Sequence, residues 1–342
     1  MARPTEAKGT GTPGVTGVRG YTVDASHYRP FDARNTTFGR ATWDEDAPFY
    51  GRHISDGALH AIISGEPGYS RVDYARAVAA WTVSDYFDGA YAREPLGDPD
   101  AVLTSLGPYA ASSTAELSDE VRRAARLYGA DLVGICRLNR RWLYSHERDG
   151  QLVEIPPEFS HAVVAAIAMD PSAIRSSPAF TSSAAVGVGY SRMAFAISCL
   201  AEFIRHLGYR AIPLGNTTAL SIPLAIDAGL GELGRNGLLI TPEYGACVRL
   251  CKVLTDMPLA SDRPTSFGVQ ERCRGCHRCA DACEATAICC DPAPSYALAC
   301  GSNNAGILRW AVNHDRCYAF WCENGQDCAT CIAACPFTPG GG

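Results

Sequence analysis

The run CRGCHRCADACE, Cys273 to Glu284, sets four thiols at gaps of two, two and three residues. A second run, Cys317, Cys328, Cys331, Cys335 and Pro336, ends in the same two-residue and three-residue gaps. Thiolates spaced Cys-x2-Cys-x2-Cys-x3-Cys hold iron-sulfur clusters, and where two clusters are present the fourth cysteine of a run ligates the other cluster. That crossing assigns Cys273, Cys276, Cys279 and Cys335 to a first four-iron four-sulfur cluster. It assigns Cys283, Cys328, Cys331 and Cys317 to a second, with Cys322 as the thiol competing for the last place. Structural zinc also uses Cys-x2-Cys pairs, but two interleaved runs of this form favour clusters. Glu284 stands where such runs place proline, so the rigid turn after Cys283 is given up.

Sixteen cysteines would suit disulfides in a small secreted protein, but twelve of them fall between Cys273 and Cys335 of a 342-residue chain. Metal is the better reading. Cys289, Cys290 and Cys300 are spare thiols, and Cys136, Cys199, Cys247 and Cys251 read as small core residues. The formal net charge is -6, only Lys8 and Lys252 are lysines, and no basic run offers a surface for nucleic acid or anionic lipid. The first residues carry neither an apolar signal core nor twin arginines, and no stretch has the roughly 18 continuous apolar residues of a membrane span. The expectation is a cytoplasmic protein without a membrane span or a nucleic-acid partner.

Two clusters form a wire, and about 260 upstream residues must serve its far end. Residues 1–27 begin Gly, Thr and Pro rich and read as a flexible segment. Residues 28–110 form an aromatic, loop-rich unit with a helix near Ala75 to Phe87. Residues 111–265 form a core of alternating helices and strands: a helix over Ala115 to Tyr128 ended by Gly129, strands at Asp131 to Cys136 and His161 to Met169, and a long helix from Ser183 to Leu207 ended by Gly208. A strand at Tyr209 to Leu214, a short helix at Ile222 to Ala228 and a strand at Val248 to Leu254 complete it. Residues 266–342 are a separate cysteine-rich unit. GLGELG, Gly229 to Gly234, follows a helix rather than a strand, which argues against a phosphate loop.

The core carries GYSRMAF (Gly189 to Phe195), HLGYRAIPLGN (His206 to Asn216) and the long segment from Ile222 to Leu259 containing ACVRLCKVLTD. With FGVQERC (Phe267 to Cys273), RNTTFGRATWD near the N-terminus and CYAFWCENGQDCATCIAACPF near the C-terminus, the chain resembles the corrinoid-dependent reductive dehalogenases over most of residues 28–337. The resemblance implies an α+β fold with a nitroreductase-like core holding base-off cobalamin and a C-terminal ferredoxin-like domain with two four-iron four-sulfur clusters. It implies that a tyrosine donates the proton that replaces halogen. Tyr190, Asn216 and Arg249 occupy the matching motifs and are the expected catalytic residues. Phe38, Trp321 and Asp327 are the expected cofactor-pocket walls. The sequence lacks an Asp-x-His-x-x-Gly loop, so none of its eight histidines need be an axial ligand to cobalt.

These residue types suit that chemistry. A free phenol ionises near pH 10, about three units above neutrality, and a neighbouring guanidinium makes a phenol a better acid by favouring its anion. Each residue also has a plainer role, in a core, a turn or an ion pair, and only their common register in the family pattern favours catalysis. The resemblance further implies an organohalide substrate and, with no fused reductase module, a separate ferredoxin or flavodoxin as electron donor. Two other readings share the cysteines: an epoxyqueuosine reductase-like enzyme acting on transfer RNA, which a net charge of -6 disfavours, and a ferredoxin-type carrier without turnover.

Overall fold

Side chains alternate to opposite sides of an extended chain, so the run HAVVAAIA is satisfied only where both faces are covered. In the computed structural model, which describes residues 15–18, 21–87 and 100–341, this run is an inner strand of the main sheet. A hairpin of β1 (Val15–Val18) and β2 (Tyr21–Asp24) comes first. Helices α1 (Thr37–Trp43), α2 (Ala58–Ser64), α3 (Arg71–Tyr86), α4 (Ala101–Leu106) and α5 (Thr114–Leu127) follow. Then come β3 (Leu132–Arg137), β4 (His161–Ala168), α6 (Pro171–Ile174), α7 (Phe180–His206), β5 (Ala211–Leu214), α8 (Ser221–Asp227), the short ladder of β6 (Glu232–Leu233) with β7 (Leu239–Ile240), and β8 (Val248–Thr255). The cysteine runs start on α9 (Val269–Gly275), α10 (Arg278–Asp281), α11 (His314–Asn324) and α12 (Thr330–Ala333).

The main sheet has the order β3-β4-β8-β5, with every neighbouring pair antiparallel. Val163, Ala165 and Ile167 of β4 and Cys251 and Val253 of β8 face α5 and α7, packing on Val121, Met193, Ile197 and Leu200. Ala162 and Val164 of β4 and Leu254 of β8 face the other way, onto Leu224 of α8 and onto Trp142 and Tyr21. The same alternation puts Arg249 on the α7 side and Lys252 on the opposite side. An antiparallel sheet covered by helices is an α+β arrangement.

The expected core elements are present with ends displaced by a few residues, and Gly129 and Gly208 end their helices at φ +100° and +88°. By length and composition α7 could cross a membrane, but 61% of its most apolar window is buried inside the protein. Two expected boundaries are corrected. Of the segment 1–27, residues 1–14 and 19–20 lie outside the described residues, yet β2 is paired and buried: Tyr21 packs edge-on to Trp142 and Val23 bridges to Ile307. Nor is 266–342 a separate body, because Val269, Ala329 and Ile332 share a core with Ile174, Val186, Ile240 and Cys247.

Candidate active site

Tyr190 sits half-buried on α7, and three neighbours fix its ring and hydroxyl. The Trp81 ring of α3 stacks on it with centroids 4.8 Å apart and planes at 27°. Arg249 of β8 places its guanidinium carbon 5.2 Å from the ring centroid, and Asn216 Nδ2 donates to the phenolic oxygen at 2.8 Å. Arg249 therefore lies over the face of the ring while the amide takes the hydroxyl. The Arg249 Nε–H also donates to Met169 Sδ, with nitrogen and sulfur 3.2 Å apart.

Glycines make this approach possible. A Cβ on Gly187 would lie 2.8 Å from Trp81 Cδ1, and one on Gly189 would lie 3.1 Å from Arg249 Cγ. Both belong to the turns of α7 beside Tyr190, so the Gly-x-Gly-Tyr run lets α3 and β8 close on the tyrosine from two sides. Asn216 stands in the loop after β5, between Gly215 and a Thr218 held at φ +66°.

Tyr190, Asn216 and Arg249 line a cavity of about 610 Å³, together with Phe38, Trp321 and Asp327. All six residues singled out in the sequence thus converge. Phe38 stacks edge-on to Tyr318 at 5.1 Å, tilts onto Trp321 at 6.3 Å and lies beneath the Arg148 guanidinium at 5.2 Å. Asp327 is buried and hydrogen-bonded to Ser183 Oγ, which also bonds Gln326 Oε1 at 2.9 Å. Burial raises the Asp327 carboxyl above its usual range, while the Ser183 bond and the Arg249 charge oppose that rise. The Trp321 indole N–H is buried without a hydrogen-bond partner in the protein.

The thiols form two sets. Cys273, Cys276, Cys279 and Cys335 line one recess with Arg235 and Pro336. Cys283, Cys317, Cys328 and Cys331 line a second cavity of about 270 Å³. Among the described residues no three His, Cys, Asp or Glu side chains converge closely enough to hold a single metal ion. Burial first, and neighbouring thiolates of the same set second, push Cys279 and Cys317 up to about 12. Such sets are costly as bare thiolates and suit a polynuclear cation.

Cys322 falls outside both sets. It is 0% exposed in an apolar cluster with Ala41, Phe49 and Tyr318. Asn236 lines both thiol spaces, and Phe38, Arg249 and Trp321 line both the second thiol cavity and the Tyr190 cavity. The three spaces are therefore consecutive. Glu284 faces the second thiol cavity.

Trp81, Ser183, Arg148, Arg235 and Lys252 were not singled out in the sequence. Arg235 is 1% exposed, donates to the carbonyls of Cys273, Cys276, Cys289 and Asp291, and stacks on Trp310 at 4.7 Å. The available signal for it was a charged residue inside the glycine-rich run after α8.

Residues 141–259, which include Tyr190, Asn216 and Arg249, match the family model described as the reductive dehalogenase subunit. The tetrachloroethene reductive dehalogenase of Desulfitobacterium hafniense is 35% identical over 361 residues, covering 84% of this chain and 65% of that protein. The chain is similar to the reductive dehalogenases over most of its length. The tetrachloroethene reductive dehalogenase of Dehalobacter restrictus is 40% identical over 265 residues, covering 65% of this chain and 48% of that protein. The chain thus spans less than two thirds of the length of either reductive dehalogenase. A solved catabolic reductive dehalogenase in complex with 3-bromo-4-hydroxybenzoic acid superposes with a TM-score of 0.70 at 22% identity, over 92% of this chain and 42% of that one. The family fold extends over nearly all of this chain.

Proposed function

We propose that this chain is the catalytic part of a reductive dehalogenase, replacing a carbon-bound halogen by hydrogen. The carbon–halogen bond breaks, halide leaves with an electron pair, and two electrons and one proton complete the new carbon–hydrogen bond. The observation that carries this reading is the meeting of Tyr190, Asn216 and Arg249 at one wall of a 610 Å³ cavity that shares Phe38, Arg249 and Trp321 with a four-thiol cavity.

The residues fit the groups the reaction requires. Two sets of four thiols suit two four-iron four-sulfur clusters, Cys273, Cys276, Cys279 and Cys335 holding the first and Cys283, Cys317, Cys328 and Cys331 the second. Phe38, Trp321 and Asp327 would bound a cobalamin in a nitroreductase-like core, with a ferredoxin-like arrangement of α9 to α12 around the clusters. Cobalamin supplies the two-electron reducing chemistry when bound, fed one electron at a time through the clusters.

The protein's own part is proton delivery and orientation. Because Asn216 donates into the phenolic oxygen, the Tyr190 hydroxyl hydrogen is free to point into the cavity. Once that proton has gone, the Asn216 N–H and the Arg249 charge remain in place to stabilise the phenolate. Trp81 prevents the ring from turning away. The substrate class is an organohalide, and a low-potential ferredoxin or flavodoxin is the proposed donor.

A carrier without turnover would have no use for a cavity walled by a tyrosine, an amide and a guanidinium. The test is anaerobic reconstitution with iron, sulfide and cobalamin, followed by halide assay with bromophenols and chloroalkenes under a chemical reductant. Halide release that depends on cobalamin is the expected result. Two clusters and bound cobalamin with no halide from any of these substrates would overturn the reading.

A further inference from the structure

Lys252 is 0% exposed on β8, opposite Leu214 of β5. Among the described residues no carboxylate forms an ion pair with it. Its ammonium donates instead to the carbonyl oxygens of Gly215 at 2.5 Å, Ala219 at 2.7 Å and Thr217 at 3.3 Å, and to Ser221 Oγ at 3.0 Å. The acceptors come from alternate residues, so the loop from 215 to 221 curls around one cation. Asn216 lies between the first two of them, and its side chain leaves the curl to reach Tyr190.

A second anchor acts on the same loop. The Glu147 carboxylate accepts from the Thr218 backbone N–H at 3.2 Å and from the Thr218 hydroxyl. Thr218 has φ +66°, a conformation that a β-branched residue keeps only where its surroundings over-determine it. Burying an ammonium is costly, and a methionine would occupy similar space without that cost. What the ammonium adds is direction: three N–H bonds that draw backbone carbonyls to one point.

We propose that Lys252 is a positioning residue for dehalogenation, holding the 215–221 loop in the shape that brings the Asn216 amide to the Tyr190 hydroxyl. This rests on the reading of Tyr190 and Asn216 as the proton-delivery pair. Lys252 does not line the Tyr190 cavity and acts through Asn216. Its removal leaves Tyr190, Arg249 and the thiol sets in place and displaces one amide.

The test uses the reconstituted holoenzyme and compares Lys252→Met in the wild-type and Asn216→Ala backgrounds. Lys252→Met should lower kcat about tenfold, since small misplacements of a positioned group carry losses of that order, while KM for the organohalide stays within about twofold. In the Asn216→Ala background it should cause no further loss. An unchanged kcat, or an equal fold-loss in both backgrounds, would overturn the proposal. Should Lys252→Met fail to fold, Glu147→Gln in the same two backgrounds must show the same non-additivity, and equal losses there overturn the proposal as well. If Asn216→Ala alone leaves turnover untouched, the proton-delivery reading fails first and this proposal falls with it.

Discussion

At the scale of the residue, the tyrosine's role follows from which atom each neighbour addresses. Asn216 meets the hydroxyl oxygen, Trp81 meets one face of the ring, and Arg249 lies over the ring within charge range of the site. Tyr190→Phe keeps the ring, the stack and the cavity wall and removes only the proton and its oxygen. Halide release by the reconstituted enzyme should fall by about 10²-fold or more, the usual weight of a general acid, with iron and cobalamin content unchanged. Normal halide release by this variant would remove Tyr190 from the acid role.

The choice between Cys317 and Cys322 is another residue-scale matter, and the fold separates them. Cys317 faces Cys283, Cys328 and Cys331, whereas Cys322 is packed against Phe49 and Tyr318 one turn and a half further along α11. Cys317→Ser should remove the paramagnetic signal of one cluster and lower bound iron. Cys322→Ser should keep both clusters and cost about 1–3 kcal/mol for a hydroxyl buried among apolar groups, read as a lower melting temperature. Loss of a cluster in Cys322→Ser with normal iron in Cys317→Ser would reverse the assignment. Spacing alone left both thiols open because each lies on the same helix within reach of the run; only the direction in which α11 presents them decides.

At the scale of the element, periodicity carried much of the fold. The apolar stripe of α7, the amphipathic α5 after its Ser113 cap and the continuous apolar run of β4 are legible because burial on one face or two leaves a period in the sequence. Trp81 against Tyr190 is not legible in that way. It depends on a fit between α3 and two glycines of α7, and shape complementarity at one point has no period. Gly187→Ala tests that fit. In an exposed helix this change would add about 1 kcal/mol of stability, but here the new Cβ would lie 2.8 Å from Trp81 Cδ1 and 3.0 Å from the Ala80 carbonyl carbon. Backbone cannot yield cheaply, and overpacking of this kind costs about 1–3 kcal/mol. A lower melting temperature and altered tryptophan fluorescence are expected, and a higher melting temperature would show that α3 gives way freely.

At the scale of the whole molecule, the cysteine-rich end and the sheet are one body, which the abrupt change in composition near residue 266 conceals. Composition marks where the chemistry changes, not where cores divide. Glu232 accepts from the backbone N–H groups of Phe267, Gly268 and Val269, Arg235 holds the carbonyls of Cys273 and Cys276, and Ile307 lies in the same core as Tyr21, Trp142 and Leu224. Cutting after residue 265 would uncover Val186, Ile240 and Cys247 and strand two buried charges, Glu232 and Arg235, at 2% and 1% exposure. Each uncovered large apolar side chain loses about 1.5–3 kcal/mol and each stranded polar group costs about 1–3 kcal/mol or more. Together these losses approach the roughly 5–15 kcal/mol that holds an entire domain. The fragment 1–265 should therefore show no cooperative transition in calorimetry and little near-ultraviolet circular dichroism, whereas the iron-loaded full chain melts in one step. A sharp transition with a native-like near-ultraviolet spectrum from the fragment would instead show that the sheet and its helices fold without the cluster-bearing end.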